Sequence, residues 1–333
     1  MKKTGPIKVL GLWISPVGDR AEAAEIVTDG DEIIDLGHSE IVKLSKTESA
    51  SLAIGGAQSA FVAEDLAGTL FERFQGIDLV GFQGPILAFE QGINLHEAGS
   101  GAVLAEAIDT PVVWDLLSED FALNGASVLA SQAEWSAALM RRMKEMGPVV
   151  HICLDARSQV FWVREGKLIL ATEAGPTMEF LLAKKAGVRG NIASGIPEQF
   201  VAGGFYSKMG PRASGQELSE RAARAVQKMS AADARATAAA IVVAGVLQTL
   251  EQGPYLPKRV FVSGPVAADR DVASMLAAAI NVPLESLGVN AMQAGGIGFV
   301  AARIVRGKTV TGPHVTGVPT TMSAGTLSRP SLS

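Results

Sequence analysis

The chain has 333 residues, of which 48% are hydrophobic and 19% charged, with a formal net charge of −5 and a pI near 5.5. That balance fits one large or two medium globular domains. It lacks a Lys/Arg cluster of the kind that nucleic acid or an anionic membrane would require. A single cysteine, Cys153, excludes an internal disulfide framework and a thiolate metal site, and fits a reducing cytoplasm. It lies in the apolar run VVHICL and reads as inert core. MKKTGPIKVLGLWI has the outline of a signal peptide, but Lys8 interrupts its apolar part and no A-x-A site follows. No uninterrupted apolar run reaches the roughly 18 residues of a membrane span.

In chain order, IKVLGLWI (7–14) is β-branched and apolar and predicts a central strand. AEIVTDGDEII predicts a hairpin turning on Thr28-Asp29-Gly30, and EIVKLS (40–45) a third strand. Residues 48–74 carry apolar side chains at helical spacing. IDLVGFQGPILAF (77–89) predicts a strand running into a turn at Gly84-Pro85, SGAVLAEAI (100–108) a helix, and TPVVWDLL (110–117) a strand. The first third therefore alternates as an α/β layer does.

ASQAEWSAALMRRMKEM (130–146) predicts a helix ending near Gly147-Pro148. VVHICLDARSQVFWVREGKLILATEAGP then reads as three strands with tight turns, restarting the pattern of residues 7–34. Ser230 or Asp233 is a candidate cap for the Ala-rich helix reaching about 250. RVFVSGP (259–265) is a strand, AADRDVASMLAAAI (267–280) and AMQAGGIGFVAARIVRG (291–307) are helices, and the Gly/Thr/Ser/Pro tail from 308 is loop. This order is the plan of the sugar kinase/actin/Hsp70 fold. It predicts an α/β chain of two domains, each a mixed sheet flanked by helices, with a central cleft. The expected boundaries are 1–118 plus 304–333 for domain I and 119–303 for domain II.

Four stretches carry a closer resemblance: IDLVGFQG, TPVVWDLLSED, ATEAGP and the tail TGVPTTMSAG. In order and spacing they resemble the GFHGQT, PVV-x-DFR-x-x-D, DTGPGN and TGVP motifs of the anhydro-N-acetylmuramic acid kinases. The resemblance covers nearly the whole chain, which looks shortened around 40–70. It implies a cytoplasmic, dimeric enzyme of cell-wall recycling and amino sugar metabolism. Such an enzyme hydrolyses the 1,6-anhydro bond of the sugar and phosphorylates it with ATP and Mg²⁺.

The residues at the matching positions are mostly different. The family's first phosphate loop, M-S-G-T-S-x-D-G after a strand, matches Trp13-Ile14-Ser15-Pro16-Val17-Gly18-Asp19-Arg20 without a gap. Such loops hold phosphate with backbone N–H groups and small hydroxyls. Pro16 has no N–H, Arg20 fills a glycine position, and Asp19 alone is kept. The stretch reads either as an inherited loop since dismantled or as an ordinary hairpin. At GFQGPILAF the family's His, Gln and Thr become Gln83, Pro85 and Ile86. The family's arginine for the sugar carboxylate becomes Leu117, which cannot make a bidentate contact. Asp120 is the retained acid of that run and is carried over as a substrate-side residue.

The second phosphate hairpin, N-I-G-G-x-A-N in the family, is Cys153-Leu154-Asp155-Ala156-Arg157-Ser158-Gln159 here, without either glycine. Glu173 stands where the family has its general base, an aspartate. It keeps the chemistry in principle, but its extra methylene moves the carboxylate by about 1.5 Å, and shifts of that order cost about a hundredfold. Met178 replaces the family's asparagine. The adenosine-side G-G-G-x-x-N becomes Gly264-Pro265-Val266-Ala267-Ala268-Asp269, so Gly264 is the remnant there, and D-x-x-E becomes Asn290-Ala291-Met292-Gln293.

Phosphoryl transfer rests on positioning and electrostatic stabilisation of phosphates, and all three nucleotide turns are altered together. Three functional readings follow. One is a catalytically inactive pseudokinase acting as scaffold or regulatory subunit, with no cofactor expected and a homodimer or another protein as partner. The second is an active anhydro-N-acetylmuramic acid kinase, using Asp19, Asp120 and Glu173 with ATP and Mg²⁺. The third is a sugar- or muropeptide-binding protein without turnover. The scattered His38, His96, His151 and His314 give no metal-site spacing.

Overall fold

The computed structural model describes residues 5–16, 19–90, 93–155, 157–182, 190–207, 210–214, 216–319 and 325–331. From the N-terminus come β1 (Ile7–Ile14), β2 (Arg20–Thr28), β3 (Ile33–Lys43), α1 (Lys46–Ile54), α2 (Gly56–Phe71), β4 (Leu79–Gln83), β5 (Ile86–Glu90), β6 (Asn94–Glu97) and α3 (Gly101–Ile108). Next are β7 (Val112–Trp114), α4 (Ser118–Ala122), α5 (Ala130–Arg142), β8 (Val149–Leu154), β9 (Ser158–Arg164), β10 (Lys167–Gly175), α6 (Glu179–Leu182) and α7 (Ile196–Val201). The chain ends with α8 (Gln216–Val226), α9 (Ala231–Glu251), β11 (Arg259–Ser263), α10 (Arg270–Ala279), β12 (Leu284–Ser286), α11 (Met292–Val305) and β13 (Thr326–Ser328).

The first sheet runs β13-β7-β4-β1-β2-β3 and the second β10-β9-β8-β11-β12. In each, the first three strands are antiparallel and the next two join parallel to the first. The repeat expected from the sequence is therefore real at the level of strand order, and the chain is α/β with two mixed sheets flanked by helices. The small antiparallel ribbon of β5 and β6 is an addition that the sequence reading took for a turn.

The compact units are residues 1–145 with 289–333, and residues 146–288. These limits differ from the expected 1–118 plus 304–333 and 119–303. The physical reason is α11, which packs on β1, β2 and β4, while α5 packs on α11. Both helices therefore go with the first sheet.

In the first unit, α2 buries Ala63, Leu66, Ala67 and Leu70, the i, i+3, i+4, i+7 stripe of a helix on a sheet. They meet Leu10, Leu12, Val80 and Phe82 of the strands. Residues 48–74, read as one helical stretch, break at Gly55 into α1 and α2, and α1 opens with a capping box between Ser45 and Glu48. In the second unit, α9 is long and apolar enough by composition to cross a membrane. Its Ala238, Ile241, Val242 and Val246 pack with Val150, Ile152 and Trp162 in the core. Ser230, not Asp233, is its N-cap.

The seat of α11 on β1 depends on a missing side chain. A Cβ on Gly11 would lie 1.7 Å from the Ala294 carbonyl oxygen, so no residue with a side chain fits without moving the helix. Gly11→Ala is expected to destabilise the protein by about 2 kcal/mol or more. Gly68→Ala, in α2 with open space around it, is expected to stabilise by up to about 1 kcal/mol. Urea unfolding midpoints of the two variants check both signs.

Candidate functional site

The β1–β2 turn, expected to be the first phosphate loop, is closed by the Ser15 N–H to the Arg20 carbonyl at 3.0 Å, and the Asp19 carbonyl accepts the Leu44 N–H at 3.0 Å. Val17 and Gly18 lie outside the described residues. Arg20, at the family's glycine position, folds inward. Its Nε donates to Glu22 Oε1 at 3.3 Å, its Nη1 lies 3.5 Å from Asp19 Oδ2, and its guanidinium stands 5.4 Å from the Trp13 ring centre. Glu22 is 2% exposed, and its Oε2 accepts the Gln293 N–H at 3.1 Å. Gln293 is in the first turn of α11. A helix N-terminus attracts anions, and here the chain's own glutamate takes that place.

The second unit repeats the arrangement. Glu173 lies near the end of β10, opposite Gln159 of β9, and is 1% exposed. Its Oε2 accepts Arg157 Nη1 at 3.0 Å and the Ser214 N–H at 3.0 Å, and its Oε1 accepts the Ser214 hydroxyl. Arg157 also donates to the Ser214 carbonyl at 2.8 Å. Arg157 belongs to the β8–β9 turn that the resemblance assigned to phosphate; its neighbour Ala156 lies outside the described residues. The general-base position is thus occupied by an acid, but both of its oxygens are engaged by protein donors. Tyr206 stands beside it, its hydroxyl donating to the Ala174 carbonyl at 3.0 Å. Burial, helped by the Glu173 charge, pushes the Tyr206 phenol well above its ordinary value.

Gly264 has φ +91, and a Cβ there would lie 2.3 Å from the Leu154 carbonyl oxygen. It keeps the β11 turn pressed on the end of β8. Asp269 caps α10, accepting the Asp271 and Val272 N–H groups at 3.0 and 3.2 Å, and Arg235 holds Asp269 and Asp271 together. Met178 adopts φ +52, a left-handed backbone that asparagine tolerates better than methionine. His151, in the middle of β8, is neutral: burial pushes it down to about 3, and its Nε2 lies 2.8 Å from the Ser263 hydroxyl.

Asp120 is fully buried. Its Oδ1 accepts the Thr316 hydroxyl at 2.6 Å, and the Ala126 N–H donates to the Thr316 carbonyl at 2.7 Å. A Cβ on Gly125 would lie 2.0 Å from Asp120 Oδ2. The carboxyl fastens the tail through Oδ1, while its Oδ2 is buried with no hydrogen-bond partner among the described residues. Residues 320–324 of that tail lie outside the described residues. Leu117, 3% exposed, faces the core, as an apolar residue at an arginine position must. Among the four expected site residues, Asp19 and Asp120 belong to the first unit, Glu173 and Gly264 to the second. Arg157 and Ser214 were missed. Glu97 and Asp115, which line a cavity of about 220 Å³ in the first unit, were also missed.

Burial raises the Asp120 carboxyl above its ordinary value of 3.8. A carboxyl raised in the folded state holds more protons folded than unfolded, so its contribution to stability falls as pH rises from that value. Asp120→Asn keeps an acceptor for Thr316 and removes the ionisation. The stability of the variant relative to the parent is expected to grow as pH rises above about 4 and then level off. Urea unfolding between acid and neutral pH measures the difference, and a flat difference would remove the effect.

No protein-family model matches the chain. Among curated proteins, the anhydro-N-acetylmuramic acid kinase of Cereibacter sphaeroides is 30% identical over an alignment of 366 positions, covering 99% of this chain and 98% of the relative. That of Ruegeria sp. (strain TM1040) is 28% identical, covering 99% and 97%. Among solved structures, the inorganic polyphosphate/ATP-glucomannokinase of Arthrobacter sp. strain KM is 14% identical with a TM-score of 0.42, covering 88% of this chain and 97% of that one.

Proposed function

The chain belongs to the anhydro-N-acetylmuramic acid kinase family, and we propose that within that family it is a pseudokinase, a homodimeric scaffold or regulatory subunit that does not transfer phosphate. The observation that carries this reading is the state of Glu173. A general base must offer a lone pair to water within hydrogen-bond reach. Glu173 gives its oxygens to Arg157 and to the backbone and side chain of Ser214. The parallel Arg20–Glu22 pair supports the same reading at the first turn. Phosphate cradles depend on free N–H groups and on glycine for close approach. Here the turns carry arginines whose charge is answered internally.

The competing reading is that the chain acts as its curated relatives are named, as an active kinase on the anhydro sugar with ATP and Mg²⁺. Purified protein incubated with 1,6-anhydro-N-acetylmuramic acid and Mg²⁺-ATP is expected to yield no phosphorylated sugar and no ADP above background. Glu173→Ala is expected to leave that background unchanged. It would destabilise the fold by about 3 kcal/mol, the lower end for breaking a buried pair, since Arg157 is partly open to water. Turnover that vanishes in Glu173→Ala would overturn the proposal and restore the glutamate as a base.

A further inference from the structure

We propose that the cavity between the ends of β6 and β7 binds a small organic ammonium ion of about the size of a hexosamine, held by Glu97 and Asp115. This inference is independent of whether phosphate is transferred.

The cavity measures about 220 Å³ and is lined by Leu95, His96, Glu97, Gly99, Trp114, Asp115 and Ser118. That is room for several waters, or for one six-membered ring with its substituents. Each carboxylate is fixed through one oxygen. Glu97 Oε1 accepts the Gly84 N–H at 3.0 Å, and Asp115 Oδ1 accepts the Ser118 hydroxyl. The Gly84 contact is built in, since a Cβ on Gly84 would lie 1.7 Å from the Ala98 carbonyl oxygen. Asp115 is set by a left-handed backbone, φ +53, a strained conformation outside glycine. Trp114 is likewise anchored, its indole N–H donating to Ser328 of β13 at 3.0 Å.

The charge of the described lining decides the ligand's charge. Two acids share it, and among the described residues lining it there is neither a lysine nor an arginine. Two like charges in a half-buried site disfavour joint ionisation. Burial and the Asp115 charge accordingly push Glu97 up to about 8, so it holds a proton at neutral pH when the site is empty. A bound cation would take that proton's place. At the arginine position which the resemblance assigns to a sugar carboxylate stands the buried Leu117, so an anionic ligand meets no counter-charge here.

An organic ion fits better than a bare metal ion. The volume far exceeds one ion, and Leu95 and Trp114 supply apolar wall. Among the described residues no group of three or more His, Cys, Asp or Glu side chains is placed to hold a metal. An ammonium ion beside an indole also gains cation–π attraction.

The test is calorimetric titration of the full chain at neutral pH with glucosamine, which carries a free ammonium, and with N-acetylglucosamine, the same ring without the charge. Glucosamine is expected to bind with release of protons into the buffer, read as a dependence of heat on buffer ionisation enthalpy. N-acetylglucosamine is expected to give no heat. Glu97→Gln and Asp115→Asn are each expected to weaken glucosamine about tenfold or more. In the free protein, Glu97→Gln should raise the unfolding midpoint at neutral pH by removing a carboxyl that must take up a proton on folding. Equal binding of the two sugars would overturn the proposal. So would glucosamine binding indifferent to both substitutions, or saturable Mg²⁺ binding at the same residues. The comparison of the two sugars on the unmodified chain stands even if a variant fails to fold.

Discussion

A carboxylate withdrawn from water must be met by donors or take up a proton. Glu173 and Glu22, 1% and 2% exposed, meet this constraint beside the two turns that the sequence resemblance assigns to phosphate. Glu173, on β10, pairs with Arg157 of the β8–β9 turn, and Glu22 pairs with Arg20 of its own strand β2; each also accepts a backbone N–H, from Ser214 and from Gln293. The arginine and the glutamate are mutually necessary. Either one alone would leave a charge in a poorly solvated place, which costs several kcal/mol.

The rest of the local architecture follows from these pairs. Glu22 ties β2 to the first turn of α11, the helix whose seat on β1 depends on Gly11. Glu173 ties β10 to the β8–β9 turn and to the segment carrying Ser214. Both arginines and the Ser214 and Gln293 N–H groups thus find acceptors within the chain. The fold is retained because its cores, around Leu10 and Phe82 in one unit and Ile152 and Val242 in the other, do not involve these turns. Site chemistry and fold stability have separate supports.

Much of the fold was legible because β-branched runs such as IKVLGLWI and VVHICL announce buried strands, and the i, i+3, i+4 stripe of α2 announces a helix. The strand-order repeat followed from the hairpin signals. The β5–β6 ribbon was not legible, since Gly84-Pro85 reads as an ending. Nor were α7 and α8: α7 spans only six residues, while in α8 Leu218, Ala222 and Val226 do form a buried helical stripe that the charged residues between them disguise. The compact units divide at other residues than expected, since α11 is remote in sequence from the strands it covers. Asp19, Asp120, Glu173 and Gly264 were singled out by matching positions, and position did not reveal what surrounds them. The Arg157–Glu173 pair was within reach: register places Glu173 opposite Gln159, two residues from Arg157. Glu97 and Asp115 offered no such signal. They lie on different strands' ends and meet only across a cavity, and the left-handed turn at Asp115 has no glycine to mark it.

The measurement that tests the account most directly is calorimetric titration of the purified chain with Mg²⁺-ATP up to millimolar nucleotide. Internal ion pairs that satisfy both hairpins predict no saturable heat. Clear saturable binding would contradict the account, because it would mean that the turns carrying Arg20 and Arg157 open to hold phosphate.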